Sequence, residues 1–171
     1  SMAKDVIRAV QKQQLENTAS RATERVSPFS IYQIKMTLKG THPPIWRRFQ
    51  VPGEISLYKL HLVIQAVMEW ENYHLFEFRI GEMRFGIPDP EDYFETVSAR
   101  HHKLNTIIPI EKTRFLYVYD FGDGWQHELV VEKIIPSEQK LKHPICLAGK
   151  RAGPPEDSGG IWGYQDLLEI L

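Results

Sequence analysis

Residues 115–135 run Phe115-Leu116-Tyr117-Val118-Tyr119-Asp120-Phe121-Gly122-Asp123-Gly124-Trp125-Gln126-His127-Glu128-Leu129-Val130-Val131-Glu132-Lys133-Ile134-Ile135, and this stretch decides the fold class. Two β-prone runs flank Gly122-Asp123-Gly124, and Asp-Gly between such runs is the strongest short-range hairpin signal. If Asp123-Gly124 is a two-residue turn, counting outward opposes Asp120 to His127, with Cβ atoms about 4.5–5.5 Å apart. Leu116, Val118, Leu129 and Val131 then share their face. A three-residue turn opposes Asp120 to Gln126 instead. The pair has two readings. In one, a carboxylate orients a histidine for general-base or metal-ligand work, making Asp120 and His127 the catalytic candidates. In the other, Asp120 caps backbone amides, Gly122 and Gly124 supply positive φ, and His127 makes one structural hydrogen bond. No nucleophile stands beside them, since Ser158 is distant in sequence and Cys146 falls in a loop.

Working outward, Tyr32, Ile34, Met36 and Leu38 alternate with polar residues, which predicts a half-buried strand over 31–38. A second strand over 45–51 completes a hairpin, and alternation puts Arg47 and Arg48 on opposite faces. Ser56 is an N-cap candidate for a helix over 56–70, where Leu57, Leu60, Ile64, Val67 and Met68 form an apolar stripe. His61 and Gln65 are expected on its flank and Trp70 as a core plug. Runs over 74–80 and 83–87, joined by Gly81-Glu82, predict another hairpin with a type II′ turn. Residues 88–106 read as a loop with a short helix around 92–98, and 136–160 as a second long loop. A helix begins at 164 and runs to the chain's end without a terminating signal, so native residues are expected to follow.

These elements predict an α+β domain whose antiparallel or mixed sheet, built from three hairpins, packs against one main helix. A β-grasp-like arrangement is the alternative. The domain is expected over 30–171. Residues 1–29 read as a tag scar, from Ser1 before Met2, and a polar extension with a candidate helix over 3–15.

With 171 residues, 42% hydrophobic and 25% charged, the chain can bury a core unaided by disulfides or metal. Cys146 stands alone and no membrane-length apolar run occurs, so the cytoplasm is the expected compartment and no membrane partner is expected. The net charge of −1 conceals an asymmetry: residues 31–60 carry five Lys/Arg against one acid, and 61–100 carry three against eight.

A second polar turn reads Pro154-Pro155-Glu156-Asp157-Ser158-Gly159-Gly160. Its adjacent carboxylates could bind a hard cation of the Mg²⁺ type, although acids before glycines are common in turns without a ligand, and no cofactor is strongly implied. Seven histidines show no His-x-x-x-His pair and there is no Cys-x-x-Cys, so no zinc site is expected and no metal ligands are assigned. Trp46 with Arg47 and Arg48 is the one aromatic–basic cluster, a pattern that suits nucleic acid but equally packing and surface charge. These three residues, with Asp123, Trp125, Glu128, Glu156 and Asp157, are the binding candidates.

Taken in order, Pro44-Ile45-Trp46-Arg47-Arg48, Met68-Glu69-Trp70, the segment 119–128 and the segment 154–160 resemble the plasmid pRiA4b ORF-3-like family over roughly residues 30–171. The resemblance implies an α+β domain of prokaryotic plasmids and transposable elements, often with further residues beyond 171. Some relatives carry a transposon-resolvase label by association. That activity is not expected here, because a serine recombinase needs an N-terminal nucleophilic serine amid arginines, and residues 3–30 show only Arg8, Arg21 and Arg25. Two functions follow as expectations. One is a binding or adaptor module that meets nucleic acid or a mobile-element protein. The other is a small metal-assisted hydrolase using Asp120, Asp123, His127, Glu156 and Asp157, which requires the two glycine-rich turns to converge in space.

Overall fold

The structure, a computed structural model, describes residues 5, 7–13 and 27–170. Ser1, Met2 and most of the polar extension lie outside the described residues, as does Leu171; residues 7–13 are helical and exposed. Eight strands form one mixed sheet: β1 (Phe29–Leu38), β2 (Trp46–Pro52), β3 (Phe76–Ile80), β4 (Met83–Gly86), β5 (Thr96–Ser98), β6 (Arg114–Tyr119), β7 (Trp125–Ser137) and β8 (Ile145–Lys150), in the order β5-β4-β3-β6-β7-β1-β2-β8. The hairpin pairs β1/β2, β3/β4 and β6/β7 are antiparallel, and β5 lies parallel to β4. The α+β class therefore holds, with two more strands than the three hairpins supply. Among the described residues no helix is long and apolar enough to cross a membrane.

Helix α1 (Leu57–Met68) lies against one face of the sheet. Ser56 caps it, its hydroxyl accepting from the Lys59 amide at 3.1 Å, and Glu69 ends it in the left-handed region. The stripe Leu57, Leu60, Ile64 and Met68 is buried against Tyr32, Ile34, Met36 and Leu38 of β1, Phe49 and Val51 of β2, and Leu129 and Val131 of β7. Each such side chain contributes about 1.5–3 kcal/mol by leaving water.

Four expectations are corrected. His61 and Gln65 do not flank the helix but are buried beneath it, because Tyr117 gives them a polar partner inside the core. The Tyr117 hydroxyl bonds His61 Nδ1 at 2.6 Å and accepts from Gln65 Nε2 at 2.9 Å, while His61 Nε2 meets Asn72 Oδ1 at 2.7 Å. The helix expected around 92–98 is absent: Thr96–Ser98, β-branched at two of three positions, joins β4 as a strand, followed by a 3₁₀ turn (Ala99–His101) and α2 (Leu104–Ile107). The loop expected over 136–160 contains β8, which pairs with the free edge of β2. The final helix, α3 (Gly160–Ile170), begins four residues earlier than the apolar pattern suggests.

Candidate functional site

The expected opposition of Asp120 and His127 does not form. The β6/β7 ladder ends at Tyr119 opposite Trp125, so His127 faces Tyr117 and neither proposed turn applies. The reason is local: Asp120 takes a left-handed conformation (φ 57°) and its Oδ1 accepts from the amides of Gly122 at 3.1 Å and Asp123 at 3.2 Å, closing a five-residue loop over 120–124. The helix-facing side of β6 is accordingly Phe115, Tyr117 and Tyr119, not Leu116 and Val118. His127 is fully buried, edge-on to Trp70, and burial pushes its pKa down to about 4. Trp125 is a core residue, which removes it as a contact for any ligand.

The turn capped by Oδ1 leaves Asp120 Oδ2 directed at His74, 3.5 Å from its Nε2. Asp157 Oδ1 lies 2.8 Å from the same nitrogen. His74 Nε2 and one oxygen each from Asp120 and Asp157 thus fall within 4.8 Å of one another, supplied by three separate segments. Although it is shielded from solvent, Nε2 makes no hydrogen bond at these distances. A proton on it would not lie along the line to either oxygen, whereas a cation between the three atoms would satisfy all of them.

Several contacts bring these segments together. Trp70 stacks on Tyr119 at 5.0 Å and donates through Nε1 to the Pro154 carbonyl at 2.8 Å. The Tyr119 hydroxyl accepts from the amides of Tyr73 (3.0 Å) and His74 (3.2 Å) and donates to Glu156 Oε1 at 2.5 Å. Its pKa is raised, first by burial and then by that bond to Glu156. Asp123 Oδ2 accepts from the Gly159 amide at 3.1 Å. Gly160, at φ 70°, sits so close to the other turn that a Cβ would lie 2.4 Å from the Asp123 carbonyl oxygen, so only glycine permits this approach. The two glycine-rich turns are therefore one locus. Among the described residues no Lys or Arg forms an ion pair with Asp120, Asp123, Glu156 or Asp157.

His74 escaped the sequence reading because a lone histidine before a strand carries no spacing signal; only the cluster reveals it. The other candidates are scattered. Arg47 turns to the helix face, donating to the Val67 carbonyl at 3.0 Å, to Trp46 O and to Lys150 O. Arg48 lies on the opposite face, as alternation predicts, and pairs with Glu132 at 2.7 Å, where a bulge in β7 skips that residue in the ladder. Arg48 and Lys35 both sit over the Trp46 ring, at 5.2 and 5.1 Å. Glu128 pairs with Arg114 on the outer face, away from the cluster.

Known proteins frame this geometry. A relative, the uncharacterized protein y4hQ of Sinorhizobium fredii, is 41% identical over 143 residues, 83% of this chain and 73% of that protein. The crystal structure of a protein of unknown function, MM3350 from Methanosarcina mazei Go1, superposes with a TM-score of 0.75 at 44% identity, covering 84% of this chain and 82% of that one. Residues 30–171 match the family described as plasmid pRiA4b ORF-3-like protein. With the motifs at 44–48, 68–70, 119–128 and 154–160 in order on this fold, the chain belongs to the plasmid pRiA4b ORF-3-like family.

Proposed function

We propose that the joined turns form a divalent-cation site that activates water for hydrolysis. The observation that carries this reading is the meeting of His74 Nε2, Asp120 Oδ2 and Asp157 Oδ1 within 4.8 Å. A set of one imidazole and two carboxylates suits Zn²⁺, Mn²⁺ or Mg²⁺ and leaves positions open for water, the arrangement of catalytic rather than closed structural sites. Glu156, next to Asp157 in sequence, accepts from the Tyr119 hydroxyl, whose oxygen also holds the His74 amide, and is the neighbouring carboxylate that would serve as general base if a cation bound. His127 has no part in this chemistry. The nucleic-acid reading loses its main support, since Arg47 and Arg48 face opposite sides of the sheet and each guanidinium is already engaged.

The test is thermal unfolding of chelator-treated protein with Mg²⁺, Mn²⁺ or Zn²⁺ added. A cation at about 100 times its Kd stabilises by about 2.7 kcal/mol, several degrees in Tm for a domain of this size. The gain should vanish in Asp157→Asn and Asp120→Asn, and cation-dependent turnover of chromogenic ester or phosphodiester substrates should vanish with it. If none of the three metals raises Tm, or if Asp157→Asn responds like the parent, the reading is wrong.

A further inference from the structure

At the N-terminal end of α1, about 18 Å along the helix from the end that leads to Trp70 and the cluster, lies a feature that the cation site does not use. An open cavity of about 710 Å³ is bordered by the start of α1, the 3₁₀ turn and the segment 140–144. Its cationic lining comprises Lys59, Arg100, Lys103, Lys140 and Lys142, against the single acid Glu54. Five cations less one acid leave +4 at one place, on a chain whose formal charge is −1.

Part of that charge is structurally held. Lys140 pairs with Glu54 at 2.7 Å, which pins the 140–144 wall against the end of β2, and Arg100 stacks on the Tyr58 ring at 3.8 Å. Lys59, Lys103 and Lys142 have no ion pair within 4.0 Å among the described residues. Glu54 feels both Lys140 and Lys103, so the one acid is shared; concentrating the remaining like charges costs folding free energy through self-repulsion, and a bound polyanion would relieve it. Between the cations the lining is aliphatic: Ile55, Leu62, Val63 and Leu141. Leu62 is 40% exposed, although it sits in the middle of a helix whose other leucines are buried.

The cavity also continues. A second cleft of about 210 Å³ shares Pro52, Glu54, Lys140 and Leu141 with the first and runs on along Ser27, Ser30 and Asn105. Together they form a trough rather than a closed pocket. The main cavity's lining contains no Phe, Tyr or Trp, and the second cleft has a single ring, Phe29, so the trough offers bases no run of stacking platforms.

We propose that this trough docks an acidic, leucine-bearing peptide segment of a partner protein, with carboxylates meeting Lys59, Lys103 and Lys142 and aliphatic side chains covering Leu62 and Val63. Charge complementarity sets the sign of the partner, the aliphatic floor its apolar half, and the trough its extended form.

The test uses three fluorescein-labelled probes of about 12 units at about 50 mM salt: a glutamate peptide with leucine at every third position, an all-glutamate peptide, and oligo-dT. Anisotropy should show saturable binding of the Glu/Leu peptide, at least about fivefold tighter than the all-glutamate peptide. Lys103→Glu/Lys142→Glu should weaken it at least about tenfold, and Leu62→Ser should erase the advantage of the leucines. These positions are peripheral to the core, and an unchanged urea midpoint confirms that each variant is folded. The proposal is overturned if the Glu/Leu peptide fails to saturate below about 1 mM, if oligo-dT binds more tightly, or if the charge reversals leave binding unchanged. Chelator should leave this binding intact, so its outcome is separable from that of the cation site.

Discussion

Lowering the pH from 7 to 5 should cost this protein roughly 4 kcal/mol of stability, through two buried histidines. His61 and His127 are both 0% exposed, and burial pushes each from 6.5 down to about 4. The folded state therefore refuses protons that the unfolded chain accepts below about 6.5. The stability associated with each histidine is complete above that value and is lost as pH falls toward about 4. At pH 5 the unfolded imidazoles are almost fully protonated while the folded ones remain mostly neutral. That difference is worth about 2 kcal/mol per group, or about 4 kcal/mol for the pair. Against a typical domain stability of about 5–15 kcal/mol, the loss is large. The structure explains why neither ring protonates readily. His61 Nδ1 accepts a hydrogen bond from the Tyr117 hydroxyl while Nε2 donates to Asn72 Oδ1, and His127 Nε2 is buried without a hydrogen-bond partner. Urea titrations at pH 7, 6 and 5, compared at constant m, measure the effect. His127→Leu should halve the pH dependence whatever it does to stability at pH 7. A difference below about 1 kcal/mol between pH 7 and pH 5, or an unchanged slope in His127→Leu, would refute the reasoning.

Two further perturbations bear on the junction of the turns. Gly160→Ala places a Cβ 2.4 Å from the Asp123 carbonyl at φ 70°, so it should cost at least about 1–2 kcal/mol from the left-handed conformation alone and drive the turns apart; an unchanged urea midpoint would show that the approach is not tight. Tyr119→Phe removes the acceptor for the Tyr73 and His74 amides and the donor to Glu156, for an expected loss of about 1–3 kcal/mol and a weakened cation response; a variant that keeps the full response would show that Tyr119 does not position the site.

Much of the fold is local, and local signals carried it. Alternation in β1 and β2, the Ser56 cap, the stripe of α1 and the Gly81 turn, with φ 58°, are short-range patterns that a chain displays before it folds. β8 was illegible for the opposite reason. All its residues are exposed, so no burial pattern marks it, and its backbone is a strand only because β2 offers an edge. Thr96–Ser98 is likewise three residues long and defined by β4 alone.

The family motifs and both polar turns could be read from the sequence, including the prospect that Asp120 spends its carboxylate on its own turn. What the sequence left open was whether those turns meet. His74, Asp120 and Asp157 share no period and no motif, and their meeting rests on a few long-range contacts: Trp70 with Pro154, Tyr119 with Glu156, and Asp123 with Gly159. The Asp120/His127 opposition failed because a side-chain-capped loop of five residues displaced the two-residue turn, shifting every pair along the ladder. Periodicity and turn chemistry thus determined β1–β4, β6, β7 and α1, since each depends on a few consecutive residues. The candidate site was decided only by tertiary structure, because its three donor atoms become neighbours only once the sheet, α1 and the last turn have closed around Trp70 and Tyr119.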